Sequence, residues 1–263
     1  MAQPDKANVR PFTRTRWWWI RHAPVRAHGG QIYGQADLAC DCSDDVVLQS
    51  VARVLPHRAV WVSSHLSRAH HTAEALWRNG YFNENEAAPP LRSVPEFAEQ
   101  HLGEWRGLDR AQFAAGRPAM AASYWYAPAD ERPAGGESFA EVCARVRVAV
   151  DRLTDAFRGR DIVAVAHGGS IRAALAIALS LDPQAVLAFA VENCALTRLD
   201  YLEGQSGSGW RIGTVNQQPW MGQRVRLAIW RDITPSPRAA PGRRLVPNRF
   251  FARSNAAIRE CRW

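Results

Sequence analysis

The chain has 263 residues, of which 47% are hydrophobic and 22% are charged, a composition typical of a soluble globular protein with a sizeable core. No apolar run reaches the roughly 18 residues that a membrane span needs, so we expect no membrane contact. The net charge of +8 lies mainly in residues 231–263, which hold eight arginines against two acidic residues.

The two ends of the chain differ from its centre. Residues 1–15 lack hydrophobic periodicity and a signal-like apolar core, so we predict a flexible lead-in. The five cysteines are an odd number without a Cys-x-x-Cys pair, which favours a cytoplasmic location over a disulfide framework or a zinc site. We therefore predict one domain over residues 16–230 and a basic, disordered tail over residues 231–263.

The first predicted element is a strand over residues 17–20, an aromatic and β-branched run of three tryptophans and an isoleucine. The run stops at Arg21 and His22, which Ala23 and Pro24 follow. Because ligands of α/β sheets bind at the carboxyl ends of the strands, we expect Arg21 and His22 to lie in a crevice.

The next predicted elements are a helix and a second strand. The helix runs from Asp44 to Leu55, with apolar residues on one face and Ser43 as its N-cap. The strand covers residues 60–62 and leads through a short turn to Arg68 and a second helix, which ends at an Asn-Gly pair.

The second half of the chain continues this alternation. Ser138 and Glu141 form a capping box at the start of a helix that stops at Gly159. A strand over residues 162–166 follows and ends at His167. This order predicts a layered α/β fold.

The last predicted elements are a helix and a hairpin. The helical pattern from Ile171 to Leu181 ends at Asp182 and Pro183. Residues 196–201 and 210–215, separated by a Gly- and Ser-rich turn, then predict a β-hairpin at a sheet edge. That exposed edge leaves a homodimer possible.

Three motifs in this order resemble the histidine phosphatase superfamily, also called the phosphoglycerate mutase-like fold. They are Arg21-His22, then Ser-x-Leu-x-Arg-Ala around Arg68, and Ala-His-Gly-Gly-x-Ile-Arg around His167. The Arg-His-Ala-Pro form is closest in style to α-ribazole phosphatases. The resemblance implies a three-layer α/β/α sandwich with a mostly parallel central sheet.

The resemblance also implies a chemistry. His22 attacks phosphorus and forms a phosphohistidine, Arg21 and Arg68 hold the phosphate bidentately, and His167 donates to the developing charge. The nearby cations disfavour protonation of His22 and keep it nucleophilic. Since these side chains supply the positive charge, we expect neither a metal nor a cofactor, and the expected partner is a small-molecule phosphomonoester.

A proton donor is the remaining requirement. In the family, an acidic residue four positions before the glycine of a Gly-x-Trp-x-Gly segment has this role, and Glu99 matches that position. Glu96 is the competing candidate. The loop Tyr33-Gly34-Gln35-x-Asp37 resembles one that borders the pocket, so we expect Gln35 to contact the phosphate. His28 lies where many relatives carry a phosphate-contacting Asn, and residues 108–136 resemble a variable insertion over the site.

Three functions remain to be weighed. A phosphatase is favoured over a phosphoglycerate mutase, because Glu99-Gln100-His101-Leu102-Gly103 lacks the Arg and Tyr of the mutase stretch Glu-Arg-His-Tyr-Gly. The presence of both histidines argues against a non-catalytic phosphate-binding protein. The basic tail could bind nucleic acid, but arginine bias explains it more simply, since Lys6 is the only lysine in the chain.

Overall fold

The computed structural model describes residues 12–81, 87–117 and 125–221, all of which belong to one compact unit, Met1–Arg224. The predicted tail over residues 231–263 lies outside the described residues. The centre of the fold is a six-stranded sheet. Its strands in chain order are Thr13–Arg21 (β1), Ala59–Ser63 (β2), Leu91–Ser93 (β3), Asp161–Ala166 (β4), Leu196–Gly204 (β5) and Gly207–Gln217 (β6).

The sheet is mixed, with the strand order β3-β2-β4-β1-β5-β6. The first four strands in that order pair in parallel. The last two join antiparallel at one side, as the predicted hairpin requires. The mostly parallel sheet is therefore confirmed.

Six α-helices surround the sheet in the described residues. They are Asp45–Ala52 (α1), Ser67–Leu76 (α2), Arg110–Ala115 (α3), Phe139–Ala156 (α4), Gly168–Leu179 (α5) and Pro183–Val186 (α6). The predicted capping box of α4 is present: Ser138 Oγ accepts from the Glu141 N–H at 3.2 Å, and the Glu141 carboxylate accepts from the Ser138 N–H at 2.7 Å.

The two faces of the sheet carry separate apolar clusters because side chains alternate along each strand. Trp17 and Trp19 of β1 stack at 5.1 Å between ring centroids and pack with α4 and α5. Ile20 points to the other face, where it joins Trp61 and the apolar sides of α1 and α2. These helix–sheet–helix layers confirm the three-layer sandwich.

Three predicted boundaries differ from the structure. β1 begins at Thr13, three residues before the predicted domain boundary, because its ladder with β5 extends that far. The N-cap of α1 is Asp44, whose carboxylate accepts from the Val47 N–H at 3.1 Å, so the prediction of Ser43 was wrong. Asp182 does not end a helix but caps α6 through the Gln184 N–H at 2.8 Å.

Candidate active site

Parallel pairing of β1 with β4 brings two strand ends side by side. Arg21 lies opposite Ala166 in the ladder, and the backbone N–H of His22 donates to the Ala166 carbonyl at 3.0 Å. The rings of His22 and His167 consequently lie together, with centroids 5.1 Å apart, and both residues are buried. The structure thus places the two predicted histidines in one site.

The ring of His22 is held in one tautomer. Its Nδ1 lies 2.7 Å from the Ala23 carbonyl, and because a carbonyl only accepts, Nδ1 carries the hydrogen. In the neutral ring, Nε2 then has the lone pair that a nucleophile requires. Burial, followed by the guanidinium groups of Arg21 and Arg68, lowers the pKa of His22 well below its usual 6.5, so the ring is neutral near pH 7.

His167 joins a third strand end to the site. Its Nε2 lies 2.6 Å from Oγ of Ser64, the residue directly after β2, and its backbone N–H donates to Oγ of Ser170 at 3.1 Å. Burial lowers the pKa of His167 well below 6.5, with smaller electrostatic contributions from the neighbouring His22 ring and the guanidinium group of Arg68. The ring is therefore fixed and neutral.

Arg68 is fully buried in the first turn of α2. Its Nη1 donates to the Ala36 carbonyl and its Nη2 to the Gly34 carbonyl, both at 2.7 Å. Asp37 in the same loop accepts from the N–H and hydroxyl of the residue before Arg68, at 2.8 and 2.7 Å. The loop after β1 therefore sets the direction of this guanidinium group.

Three buried nitrogen atoms of these residues have no hydrogen-bond partner within the described residues. They are Nε of Arg21, Nε of Arg68 and Nδ1 of His167. Other atoms of the two arginines are engaged; Nη1 of Arg21, for example, donates to the Val191 carbonyl at 2.6 Å. Unpaired buried donors are costly, and guanidinium donors suit the oxygens of a phosphate. This set, here called the phosphate cluster, fits a phosphoryl group.

Glu99 reaches the site from a connection between two single-turn helices. Its Oε1 accepts from the backbone N–H groups of Gln100 and Gly169, at 2.9 and 3.1 Å. A Cβ at Gly169 would displace that oxygen, so the glycine leaves room for the carboxylate in this position. Glu99 Oε2 and Arg21 Nε lie 3.8 and 3.9 Å from the position that a Cβ of Gly168 would take. The carboxylate therefore borders the phosphate cluster.

The competing carboxylate, Glu96, has a different environment. It forms a salt bridge of 2.8 Å with Arg152, with about a third (32%) of its side chain exposed and more than half (54%) of Arg152. The geometry therefore places Glu96 at the surface of α4 and Glu99 at the start of α5.

Two further side chains hold the Glu99 segment. Gln35 donates its amide to the Glu99 carbonyl at 2.8 Å. Arg145 of α4 donates to the same carbonyl at 3.1 Å and to the Glu137 carboxylate at 2.8 Å. Gln35 thus lies beside the acid, and its direct contact with phosphate stays a prediction.

One cation near the cluster received no role from the sequence. Arg172 of α5 is buried; its Nε donates to the Phe189 carbonyl at 2.8 Å, and its guanidinium lies 4.7 Å from the ring centre of Trp125. Burial lowers the pKa of Arg172 to about 10. A single arginine within an apolar helix was the available signal, since burying such a group requires a specific environment.

Two further features were sought in the part of the chain that the structure describes. It contains no group of three or more His, Cys, Asp or Glu side chains placed to hold a metal ion. None of its helices is long and apolar enough to cross a membrane.

Comparison with known proteins shows the family of this chain. Residues 17–217 match the model of the histidine phosphatase superfamily, branch 1. The chain belongs to this superfamily. It is 35% identical over 174 residues to the glucosyl-3-phosphoglycerate phosphatase of Mycobacterium tuberculosis, covering 62% of this chain and 74% of the relative. It is 30% identical over 161 residues to the metal-independent phosphoserine phosphatase of Arabidopsis thaliana, covering 59% and 64%.

Solved structures of the superfamily have the same fold. A native mycobacterial glucosyl-3-phosphoglycerate phosphatase superposes with a TM-score of 0.63 and 28% identity, over 77% of this chain and 99% of that one. The α-ribazole phosphatase of Shigella flexneri gives a TM-score of 0.59 with 21% identity, over 77% and 96%. At 21% identity, the similarity to the Shigella flexneri structure shows a shared fold only.

Proposed function

We propose that this member of the superfamily is a phosphoric monoester hydrolase that passes the phosphoryl group through Nε2 of His22. The observation that supports it most is the phosphate cluster, which is a set of three unpaired, buried nitrogen atoms in residues that accompany a neutral His22. The relatives above are phosphatases by name.

The first step is transfer to the enzyme. Arg21, Arg68 and His167 hold the phosphoryl oxygens and offset the charge that develops on them. The lone pair of His22 Nε2 forms a bond to phosphorus while the bond from phosphorus to the ester oxygen breaks. The departing oxygen takes a proton and leaves as an alcohol.

Glu99 donates that proton. Its Oε1 is held by two backbone N–H groups at 2.9 and 3.1 Å, whereas the hydrogen bond recorded for Oε2 is longer, 3.4 Å to the Gly169 N–H. Oε2, which borders the phosphate cluster, is therefore the oxygen through which the proton passes to the leaving group. In the second step the Glu99 carboxylate takes a proton from water. The resulting oxygen nucleophile displaces Nε2 from phosphorus and inorganic phosphate is released.

The electrostatics favour an acid phosphatase type of pH dependence. A phosphorylatable histidine must be neutral, and the pKa of His22 lies well below 6.5. The nucleophile therefore stays active in mildly acidic solution.

The proposed setting is the cytoplasm, which the free thiols of Cys40, Cys42, Cys143 and Cys194 support. A homodimer through the outer strand β6 is a further proposal, since that strand lies at the edge of the sheet.

The test is hydrolysis of p-nitrophenyl phosphate with excess chelator, by the wild type, His22→Ala and His57→Ala. His57 is an exposed histidine whose ring stacks on Tyr81, so it controls for loss of a histidine. We expect chelator-resistant turnover in the wild type and in His57→Ala, and a loss of about 10⁴-fold or more in His22→Ala.

Two outcomes would contradict the proposal. Equal turnover by His22→Ala would assign the nucleophile to another residue. Interconversion of phosphoglycerates, without release of inorganic phosphate, would favour the mutase reaction.

A further inference from the structure

A cleft of about 490 Å³ opens beside the phosphate cluster and shares Arg21 with it. We call it the Arg110 cleft. Among the described residues that line it there is no Asp or Glu. The polar groups of its walls include Arg26, His28, Gln31, Arg110 and Tyr126.

The two outer arginines of this cleft differ in their partners. Arg26 is neutralised by a hydrogen-bonded salt bridge with Asp41. Arg110 forms no salt bridge with any carboxylate of the described residues; its guanidinium lies 5.3 Å from the ring centre of Tyr126. Arg110 therefore presents an uncompensated positive charge to the cleft.

The backbone holds Arg110 in place. Its N–H donates to the Gly30 carbonyl at 3.0 Å, and Gln31 and Asp109 form an antiparallel bridge. The Asp109 carboxylate caps α3 by accepting from the Gln112 N–H at 2.9 Å. Because this connection joins the loop after β1 to α3, the backbone of Arg110 needs little reordering when a ligand binds.

Tyr126 adds a neutral donor. Burial raises the pKa of its phenol to about 12, so the hydroxyl keeps its hydrogen at neutral pH and can donate to an anion. Tyr126 and Arg110 together offer a phenol and a guanidinium on one wall of the cleft.

We propose that the Arg110 cleft binds a second anionic group of the substrate, a carboxylate or a second phosphate, while the phosphate cluster holds the phosphoryl group that is transferred. The preferred substrates are then phosphomonoesters with two anionic groups on one molecule. This inference rests on the proposed function for the role of the phosphate cluster. Arg110 is its main specificity-determining residue.

The experiment measures binding by titration calorimetry to the full-length His22→Ala protein, which leaves the esters intact. The first ligand pair is 3-phosphoglycerate and glycerol 3-phosphate, which differ in a carboxylate. The second pair is fructose 1,6-bisphosphate and fructose 6-phosphate, which differ in a phosphate. Whichever pair shows the preference identifies the second anion.

We expect the doubly anionic ligand of that pair to bind about 10-fold or more tightly, as one charge-assisted hydrogen bond implies. Adding Arg110→Gln should reduce the ratio to about one, and Tyr126→Phe should reduce it by a smaller factor. Arg106→Gln is the control, because it removes the same charge from an exposed arginine that does not line the cleft. It should preserve the ratio.

A ratio near one in both pairs, or a preference that survives Arg110→Gln, would overturn the inference. Wild-type turnover of the same four esters is measured in parallel. Hydrolysis without a binding preference would leave the phosphatase proposal standing and remove this one. A binding preference that is lost in Arg110→Gln, without hydrolysis of any ester by the wild type, would support the role of the cleft and contradict the phosphatase proposal.

Discussion

The proposed active site has a phosphate side and a leaving-group side, and the two are built in different ways. The phosphate side is formed by residues at or just after the ends of β1, β2 and β4, where His22, Ser64 and His167 meet. The leaving-group side is formed by Glu99, Arg110 and Tyr126, which lie in irregular segments and a six-residue helix between β3 and α4. Strand register fixes His22 and His167 on the first side, and the loop after β1 orients Arg68. Long-range contacts with loops and helices fix the second side.

This difference suggests a division of labour. The phosphoryl group has the same shape and charge in every ester, so residues held by the rigid hydrogen-bond ladder of the sheet can contact it. The leaving group varies from substrate to substrate, and the segments that surround it tolerate change because few ladder bonds constrain them. Substitutions on the first side should therefore affect all esters, and those on the second should affect them unequally.

The largest unequal effect is expected for Glu99→Gln. An amide has no acidic proton to donate, so hydrolysis of an alkyl phosphate such as glycerol 3-phosphate should fall about 10²- to 10⁴-fold. The initial transfer from p-nitrophenyl phosphate should change much less, because p-nitrophenolate departs without a proton. Rapid-quench measurement of the released alcohol or phenol gives the rate of this first transfer separately from the hydrolysis of the phosphoenzyme.

Glu96→Gln is the matched control. Its carboxylate pairs with Arg152 on α4, so alkyl phosphate hydrolysis should match the wild type. The opposite result, a loss in Glu96→Gln and none in Glu99→Gln, would reassign the acid.

Arg68→Lys tests the phosphate side and should affect all esters alike. A lysine ammonium has all its donors on one nitrogen, so it cannot replace Nη1, Nη2 and Nε of Arg68, which occupy three separate positions. Loss of one charge-assisted hydrogen bond, about 1.5–3 kcal/mol, should lower kcat/KM roughly 10- to 150-fold. The measurement is the ratio of mutant to wild-type kcat/KM for p-nitrophenyl phosphate and for glycerol 3-phosphate, which should be similar.

Arg92→Lys serves as the control, since Arg92 is exposed on β3 with its guanidinium over the ring of Phe157. A loss confined to one ester in Arg68→Lys would contradict the proposed division between the two sides.

A smaller effect is expected on the pH dependence of the free energy of unfolding. His22 and His167 have pKa values below 6.5 in the folded protein, so between those values and 6.5 the unfolded chain binds protons that the folded chain does not. The free energy of unfolding should therefore fall as the pH drops below about 6.5, by up to about 1.4 kcal/mol per pH unit for each histidine.

Denaturant titrations between pH 7.5 and 5 measure this slope. A protein with both histidines replaced by asparagine should show a shallower slope, whatever its absolute stability. An unchanged slope would mean that other groups cause the pH dependence.

Sequence patterns located the residues of the proposed phosphate side more completely than those of the proposed leaving-group side, for a physical reason. Arg21 and His167 follow apolar runs, and the parallel ladder brings such ends together without further information. Arg145 and Gln35 instead support Glu99 across 46 and 64 residues of sequence, and no local pattern encodes those contacts. Arg110 was missed for the same reason, whereas Arg172 had a local signal, its position as the single arginine of an apolar helix.

Local capping was predicted unevenly. The capping box of α4 was found because two residues at fixed spacing confirm each other. At α1 the neighbours Ser43 and Asp44 are both good N-caps, and the outcome depends on Asp41, which engages the Ser43 hydroxyl at 2.6 Å and leaves Asp44 as the cap.

The measurement that tests the central claim most directly is capture of the phosphoenzyme. Glu99→Gln is mixed with ³²P-labelled p-nitrophenyl phosphate and then quenched in alkali. The phosphoenzyme should accumulate in this variant, because its second step lacks the base that activates water. We predict label on the protein that is stable in alkali, is lost in acid and maps to His22. Label on another residue, or label that persists when His22→Ala is added to Glu99→Gln, would contradict the proposed nucleophile.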